Sequence, residues 1–191
     1  MRTNQAHLPV CPSPTLLKFV DEIASSAATG PILDAPCGYG RNSVALANRG
    51  CTVIGVDNDL SRIRILETTK GQYISDAAPG RDRAGQIKLI CADLSGVDRL
   101  PLKASSLSAI VCVHFPVVEL VDQFVAALRT GGYLYIETFG GHGGNYLDLP
   151  KKGQLRSMIQ PRADLRFYQE RMAGPAYANG VSVKLFAQKT R

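Results

Sequence analysis

The chain has 191 residues, 45% of them apolar and 20% charged, with a formal net charge of +6. That is ordinary globular composition, and a chain of this length buries a core without disulfides or metal. No apolar run approaches the roughly 20 residues of a membrane span, and residues 1–10 lack the apolar segment of a secretory leader, so a cytoplasmic protein with no membrane partner is expected.

The elements are read in chain order. Leu16, Leu17, Phe19, Val20, Ile23 and Ala24 recur at helical spacing within an N-terminal helical segment, 1–29, with Ser13 placed to cap and Pro14 tolerated in the first turn. A short strand at 32–33 is cut off by Asp-Ala-Pro, and a glycine turn leads into a helix at 42–48 that ends at Gly50. A strand follows at 52–56, then a helix from Leu60 capped by Asp59 or Ser61. Residues 75–86 read as an excursion, and strands are expected at 87–91 and 107–113. A helix over 117–128 stops at Gly131-Gly132, and a strand is expected at 133–139. The glycine-rich stretch beginning at Gly140 reads as part of a lid over 140–160. Alternation at 165–168 and 181–187 predicts an edge strand and an antiparallel neighbour.

Strand and helix alternation with near-continuous apolar strands predicts a doubly wound α/β fold in one domain, 1–191. Its sheet is mostly parallel and seven-stranded, with an antiparallel C-terminal hairpin. Residues 151–191 carry nine Lys or Arg against Asp164 and Glu170, a scattered basic face that reads as solvated surface. Five singly spaced cysteines, Cys11, Cys37, Cys51, Cys91 and Cys112, form neither a zinc motif nor a disulfide framework. Cys51, Cys91 and Cys112, inside or beside apolar runs, read as small hydrophobes. No metal is expected, because His7, His114 and His142 have no spacing that pairs them with further ligands.

The chemistry centres on residues 31–43, Pro-Ile-Leu-Asp-Ala-Pro-Cys-Gly-Tyr-Gly-Arg-Asn-Ser. A strand ends at Asp34, and Gly38 and Gly40 let a ligand approach the backbone closely at the carboxyl end of the sheet. Asp57 stands at the end of the second expected strand, placed to accept hydrogen bonds from ribose hydroxyls. Asp93 follows the third strand over the same edge, where a carboxylate accepts from an adenine amino group or simply closes a turn.

On these residues the chain resembles the class I S-adenosylmethionine-dependent methyltransferase superfamily over nearly its whole length. The Gly-Arg-Asn-Ser run at 40–43 and the Glu-Thr-Phe strand ending at 137–139 resemble its small tellurite-resistance and thiopurine-like branch. The resemblance implies S-adenosylmethionine as cofactor and a small-molecule acceptor, with a monomer or homodimer as the working unit. It implies that Asp34 faces the methionine end and that Pro36, Cys37, Gly38, Gly40 and Asn42 lie along the cofactor. Asp57 and Asn58 would hold the ribose, Asp93 and Leu94 the adenine. Pro36 departs from the pattern, standing where the motif commonly has its first glycine. His114, at the end of the fourth strand, is expected beside the cofactor as a base or acceptor-orienting group. Tyr39, Phe115, His142, Asn145 and Tyr146 are the expected acceptor-lining residues, and Glu137 is expected to support the site.

Three other readings compete. Residues 38–43 nearly match the dinucleotide fingerprint, which would make the chain an NAD(P)-binding oxidoreductase, but a pyrophosphate sits poorly beside Asp34. The basic C-terminal part would suit a nucleic-acid substrate, although the fourth strand ends in Val-His-Phe-Pro and not in a base-methylating Asn-Pro-Pro-Tyr segment. A cofactor-binding module without activity is the third.

Overall fold

The computed structural model describes residues 11–73, 85–95, 100–115, 117–138, 149–172 and 180–190. Its strands are β1 (Ile32–Asp34), β2 (Thr52–Asp57), β3 (Gln86–Cys91), β4 (Leu107–Val113), β5 (Leu128–Glu137), β6 (Ala163–Met172) and β7 (Val181–Lys189). They form one seven-stranded sheet in the order β3-β2-β1-β4-β5-β7-β6. The first five run parallel, and β7 enters antiparallel between β5 and β6.

Alternating side chains divide the core between the two sheet faces. Ile110 and Cys112 of β4, with Leu134, Ile136 and Leu185, pack against α4 (Val121–Ala127) and α5 (Gln154–Ile159). On the other face Ala109, Val111 and Val113 of β4, with Tyr135 and Phe186, pack against α1 (Val20–Ser26) and α2 (Arg41–Ala47). Phe186 stacks between Phe19 at 4.4 Å and Tyr133 at 5.0 Å. It is buried because β7 is an interior strand, covered on both faces. All of β4 is buried, whereas β3, an edge strand, leaves every second position or more in solvent.

Several expectations shift. The helix expected over 117–128 is a single 3-10 turn, Val118–Leu120, followed by α4. It stops before Gly131-Gly132 because β5 already starts at Leu128, its register shifting between Leu107 and Ala109 of β4. The first helix is likewise split, with Ser13 Oγ accepting from the Leu16 N–H at 3.3 Å. Cys91 is exposed, not packed as a small hydrophobe, because it ends the edge strand β3; Cys37, Cys51 and Cys112 are buried. Within the 140–160 stretch, residues 154–159 are helix α5, anchored in the core by Leu155 and Ile159. Residues 140–148 lie outside the described residues. No helix among the described residues is long and apolar enough to cross a membrane.

The third helix, α3 (Leu60–Tyr73), is held against the glycine turn through Leu66, and Asp59 caps it by accepting from the Ser61 N–H at 2.9 Å. Gly40, at φ +80°, starts α2, and a Cβ there would stand 2.4 Å from Leu66 Cδ2. Left-handed strain and overpacking therefore act together at this residue. Gly40→Ala is expected to cost about 2–3 kcal/mol, read as a lower urea midpoint at unchanged slope.

Candidate active site

The chain winds outward from β1 to β2 and β3, then crosses back to β4, so the strand order reverses between β1 and β4. Loops leaving the carboxyl ends of these strands diverge there and open a crevice. A cavity of about 440 Å³ lies at that point, within the range of small-molecule sites.

The turn after β1 builds one wall. Asp34 sits in register with Gly55 of β2 and Val111 of β4. The Ala35–Pro36 peptide is cis, Cys37 N–H donates to Val56 O at 2.8 Å, and Gly38 and Gly40 turn the chain at φ +55° and +80°. Pro36, Cys37, Gly38, Tyr39 and Asn42 all line the cavity. A Cβ on Gly38 would meet nothing within 4 Å, so open space flanks that backbone. The Cys37 thiol is pushed far up by burial and by the carboxylates of Asp34 and Asp57, which leaves it un-ionised.

Asp34 and Gly40 lie beneath the wall, not on it. The Asp34 carboxyl is completely buried: Oδ2 accepts from Ser43 Oγ at 2.5 Å, while Oδ1 has no hydrogen-bond partner among the described residues. Burial raises its pKa to about 7, against the lowering by Ser43 and Arg41. A buried acceptor without a donor is costly unless a ligand supplies one.

The second wall comes from β2 and β3. Asp57 Oδ2 accepts from Gly38 N–H at 2.8 Å, and Oδ1 accepts from Asp59 N–H at 3.0 Å. These bonds tie the glycine turn to the end of β2. Arg62 stands 3.9 Å from Asp57 Oδ1 and 3.1 Å from Asp59 Oδ2, its guanidinium 5.5 Å from the centre of the Tyr39 ring. Asn58, Ala92, Asp93 and Leu94 complete this side. Asp93 is exposed, and its Oδ1 closes a turn by accepting from both the N–H and the hydroxyl of Ser95. Those bonds lower its pKa, the hydroxyl contributing most.

The end of β4 supplies the third side, Val113, His114 and Phe115. His114 has φ +59°, and its N–H donates to Glu137 O at 2.7 Å. Burial pushes the imidazole below its usual 6.5, as do Arg41 and Lys184, against an opposing pull from Glu137. At neutral pH the ring is uncharged and able to accept a proton.

Behind His114 lies a buried polar network that brings together four distant segments. Glu137 Oε2 accepts from Ser13 Oγ at 2.5 Å and from the Tyr135 hydroxyl at 2.9 Å, and Oε1 stands 2.6 Å from Lys184 Nζ. Ser13 N–H also donates to Asn42 Oδ1 at 3.0 Å. Burial opposes the Glu137 charge, but Lys184, Ser13 and Tyr135 outweigh it and hold the carboxylate ionised.

The expected site residues His142, Asn145 and Tyr146 lie outside the described residues. Sequence reasoning missed Arg41, Arg62, Ala92 and Val113 as cavity residues. Arg62 left a signal, three residues after the capping Asp59 on the same helix. Arg41 left only its place directly after the glycine turn.

A family model described as "Methyltransferase domain" matches residues 32–132, just over half of the chain. Among solved structures, an rRNA methylase from Streptococcus thermophilus is similar at 16% identity and a TM-score of 0.63, covering 95% of this chain and 99% of that one. An S-adenosylmethionine-dependent methyltransferase from Methanosarcina mazei is similar at 18% identity and a TM-score of 0.60, covering 94% and 98%. A geranyl diphosphate methyltransferase in complex with S-adenosylmethionine is similar at 14% identity and a TM-score of 0.58, covering 91% and 85%. A search of curated proteins finds no match.

Proposed function

This chain belongs to the methyltransferase domain family, and from that premise we propose that it transfers a methyl group from S-adenosylmethionine to a small-molecule acceptor. One observation carries the reading: the glycine turn after β1, the acids ending β2 and following β3, and the histidine following β4 meet at one cavity. The donor set fits the cofactor. Asp34 Oδ1 is a buried acceptor lacking a donor among the described residues, which suits an ammonium group, and the space beside Gly38 is open. Asp57 would accept from the ribose hydroxyls, since each carboxylate oxygen keeps a second lone pair. Asp93 Oδ2, with no partner among the described residues, and Leu94 would meet the adenine. The Gly-Arg-Asn-Ser run at 40–43 supports the tellurite-resistance and thiopurine-like branch and with it a small acceptor.

The cofactor supplies an electrophilic methyl group on a sulfonium. The chain's own contribution is to align the acceptor and exclude water, which for a displacement is worth several kcal/mol. His114, uncharged at neutral pH, would take a proton from a protic acceptor. Glu137 and its partners hold the backbone of β5 on which the His114 N–H rests.

Calorimetric titration with S-adenosylhomocysteine and, separately, NADH tests the assignment. Binding of the first in the micromolar range and none of the second is the expected result. NADH binding alone would replace this reading by the oxidoreductase, and silence with both would leave only a fold.

A further inference from the structure

We propose that Arg41 forms an anion subsite for the acceptor, so that the molecule methylated here is a small anion bearing a carboxylate or similar oxyanion group. The inference rests on the methyltransferase reading above and adds the acceptor's chemical class.

Arg41 is the first residue of α2, half-buried, and it lines the cavity. Among the described residues it donates no hydrogen bond and forms no ion pair, an unusual state for a partly desolvated guanidinium. The other cavity arginine, Arg62, is engaged by Asp59 and Asp57 and lies over Tyr39. Neither nearby acid pairs with Arg41: Asp34 feels its charge but lies outside the cavity lining, and Glu137 has its own counter-ion. Asp34 is bonded to Ser43 below the wall, and Glu137 is neutralised by Lys184 at 2.6 Å. Arg41 therefore keeps its charge and its donor fork for something that enters the cavity.

The cavity is also polarised. Its carboxylates, Asp57 and Asp93, stand at the ends of β2 and β3 with Arg62 paired beside Asp57, while Arg41 and the uncharged His114 stand on the α2 and β4 side. If the acids hold the nucleoside, the side that carries Arg41 is left for the methionine end and the acceptor. The cofactor's own carboxylate is thus a rival occupant of Arg41.

The experiment separates the two sources. Protein saturated with S-adenosylhomocysteine is titrated with benzoate and with inorganic phosphate at constant ionic strength, while the His114 ring is followed by NMR. Expected are millimolar binding of at least one anion and a rise in the His114 pKa on binding. Arg41→Gln should weaken anion binding at least tenfold and abolish that rise, with S-adenosylhomocysteine affinity changed less than threefold. Arg41→Lys should retain part of both effects, and Lys152→Gln, an exposed loss of the same charge, should change neither. Melting curves confirm that each variant is folded. A variant that loses S-adenosylhomocysteine tenfold but keeps the anion would assign Arg41 to the cofactor and overturn the proposal, as would wild-type protein that binds neither anion. Wild-type protein that does not bind S-adenosylhomocysteine would fail the function reading itself, a distinct result that removes the proposal with it.

Discussion

Asp57→Ala is expected to weaken S-adenosylhomocysteine binding by about 100-fold, measured calorimetrically at pH 7.5. The carboxylate is 2% exposed and lines the cavity at the end of β2. Each charge-assisted hydrogen bond it would make to a ribose hydroxyl contributes about 1.5–3 kcal/mol, and about 2.7 kcal/mol in total already amounts to 100-fold. The variant also strips the acceptor from Gly38 N–H and Asp59 N–H, so the glycine turn loses its tie to β2 as well. Two companions separate these contributions. Asp57→Asn keeps one acceptor oxygen and should fall between wild type and alanine. Asp59→Ala removes the cap of α3 at a cost of about 1 kcal/mol in stability and should leave the affinity nearly unchanged. A folded Asp57→Ala protein with wild-type affinity would remove ribose recognition from this residue.

Asp34→Asn is expected to stabilise the unliganded protein above pH 7 and to change its response to pH. The Asp34 pKa of about 7 lies above the ordinary 3.8, so the native state holds this proton more tightly than the unfolded chain does. The contribution of Asp34 to stability is therefore greatest below pH 4, declines as pH rises from about 4 to 7, and is constant above. The gap is worth about 4 kcal/mol, with no discount for screening because the group is fully buried. The stability difference between Asp34→Asn and wild type, from urea unfolding, should grow in favour of the variant by about that amount between pH 4 and pH 8. The ligand should reverse the sign. If Asp34 Oδ1 receives the cofactor's ammonium, binding ionises the carboxyl and releases a proton near pH 6.5, seen as a buffer-dependent heat. Asp34→Asn should bind more weakly and without that heat. A variant that binds as tightly as wild type would place the ammonium elsewhere.

Much of this site was legible without coordinates. Seven strands, their order along the chain and the antiparallel end follow from apolar runs and turn residues, which are local signals. The glycine turn and the acids at 57 and 93 were visible for the same reason, because a parallel sheet delivers the residues that end its strands to one edge. Boundaries were less legible. Residues 128–132 read as helix end and turn, yet they belong to β5, where pairing with Leu107 outweighs local propensity.

What only the tertiary structure decided is where charge is buried and which groups share it. Sequence spacing placed Asp34 at the site but not beneath it, and the pKa of about 7 comes from complete desolvation, a property of the surrounding core. Ser13 read as a helix cap, and its Oγ does accept from the Leu16 N–H although Thr15 holds the N-cap position; its other role, bonding Glu137 across 124 residues, depends on α1 packing over the end of β5. Lys184 lies within the alternating run at 181–187, and it is the counter-ion of Glu137 because β7 inserts beside β5 in that register. Periodicity records which face of an element turns inward, within a few residues of chain. Ionisation and free donors depend on everything within several ångströms, and most of that arrives from elsewhere in the sequence.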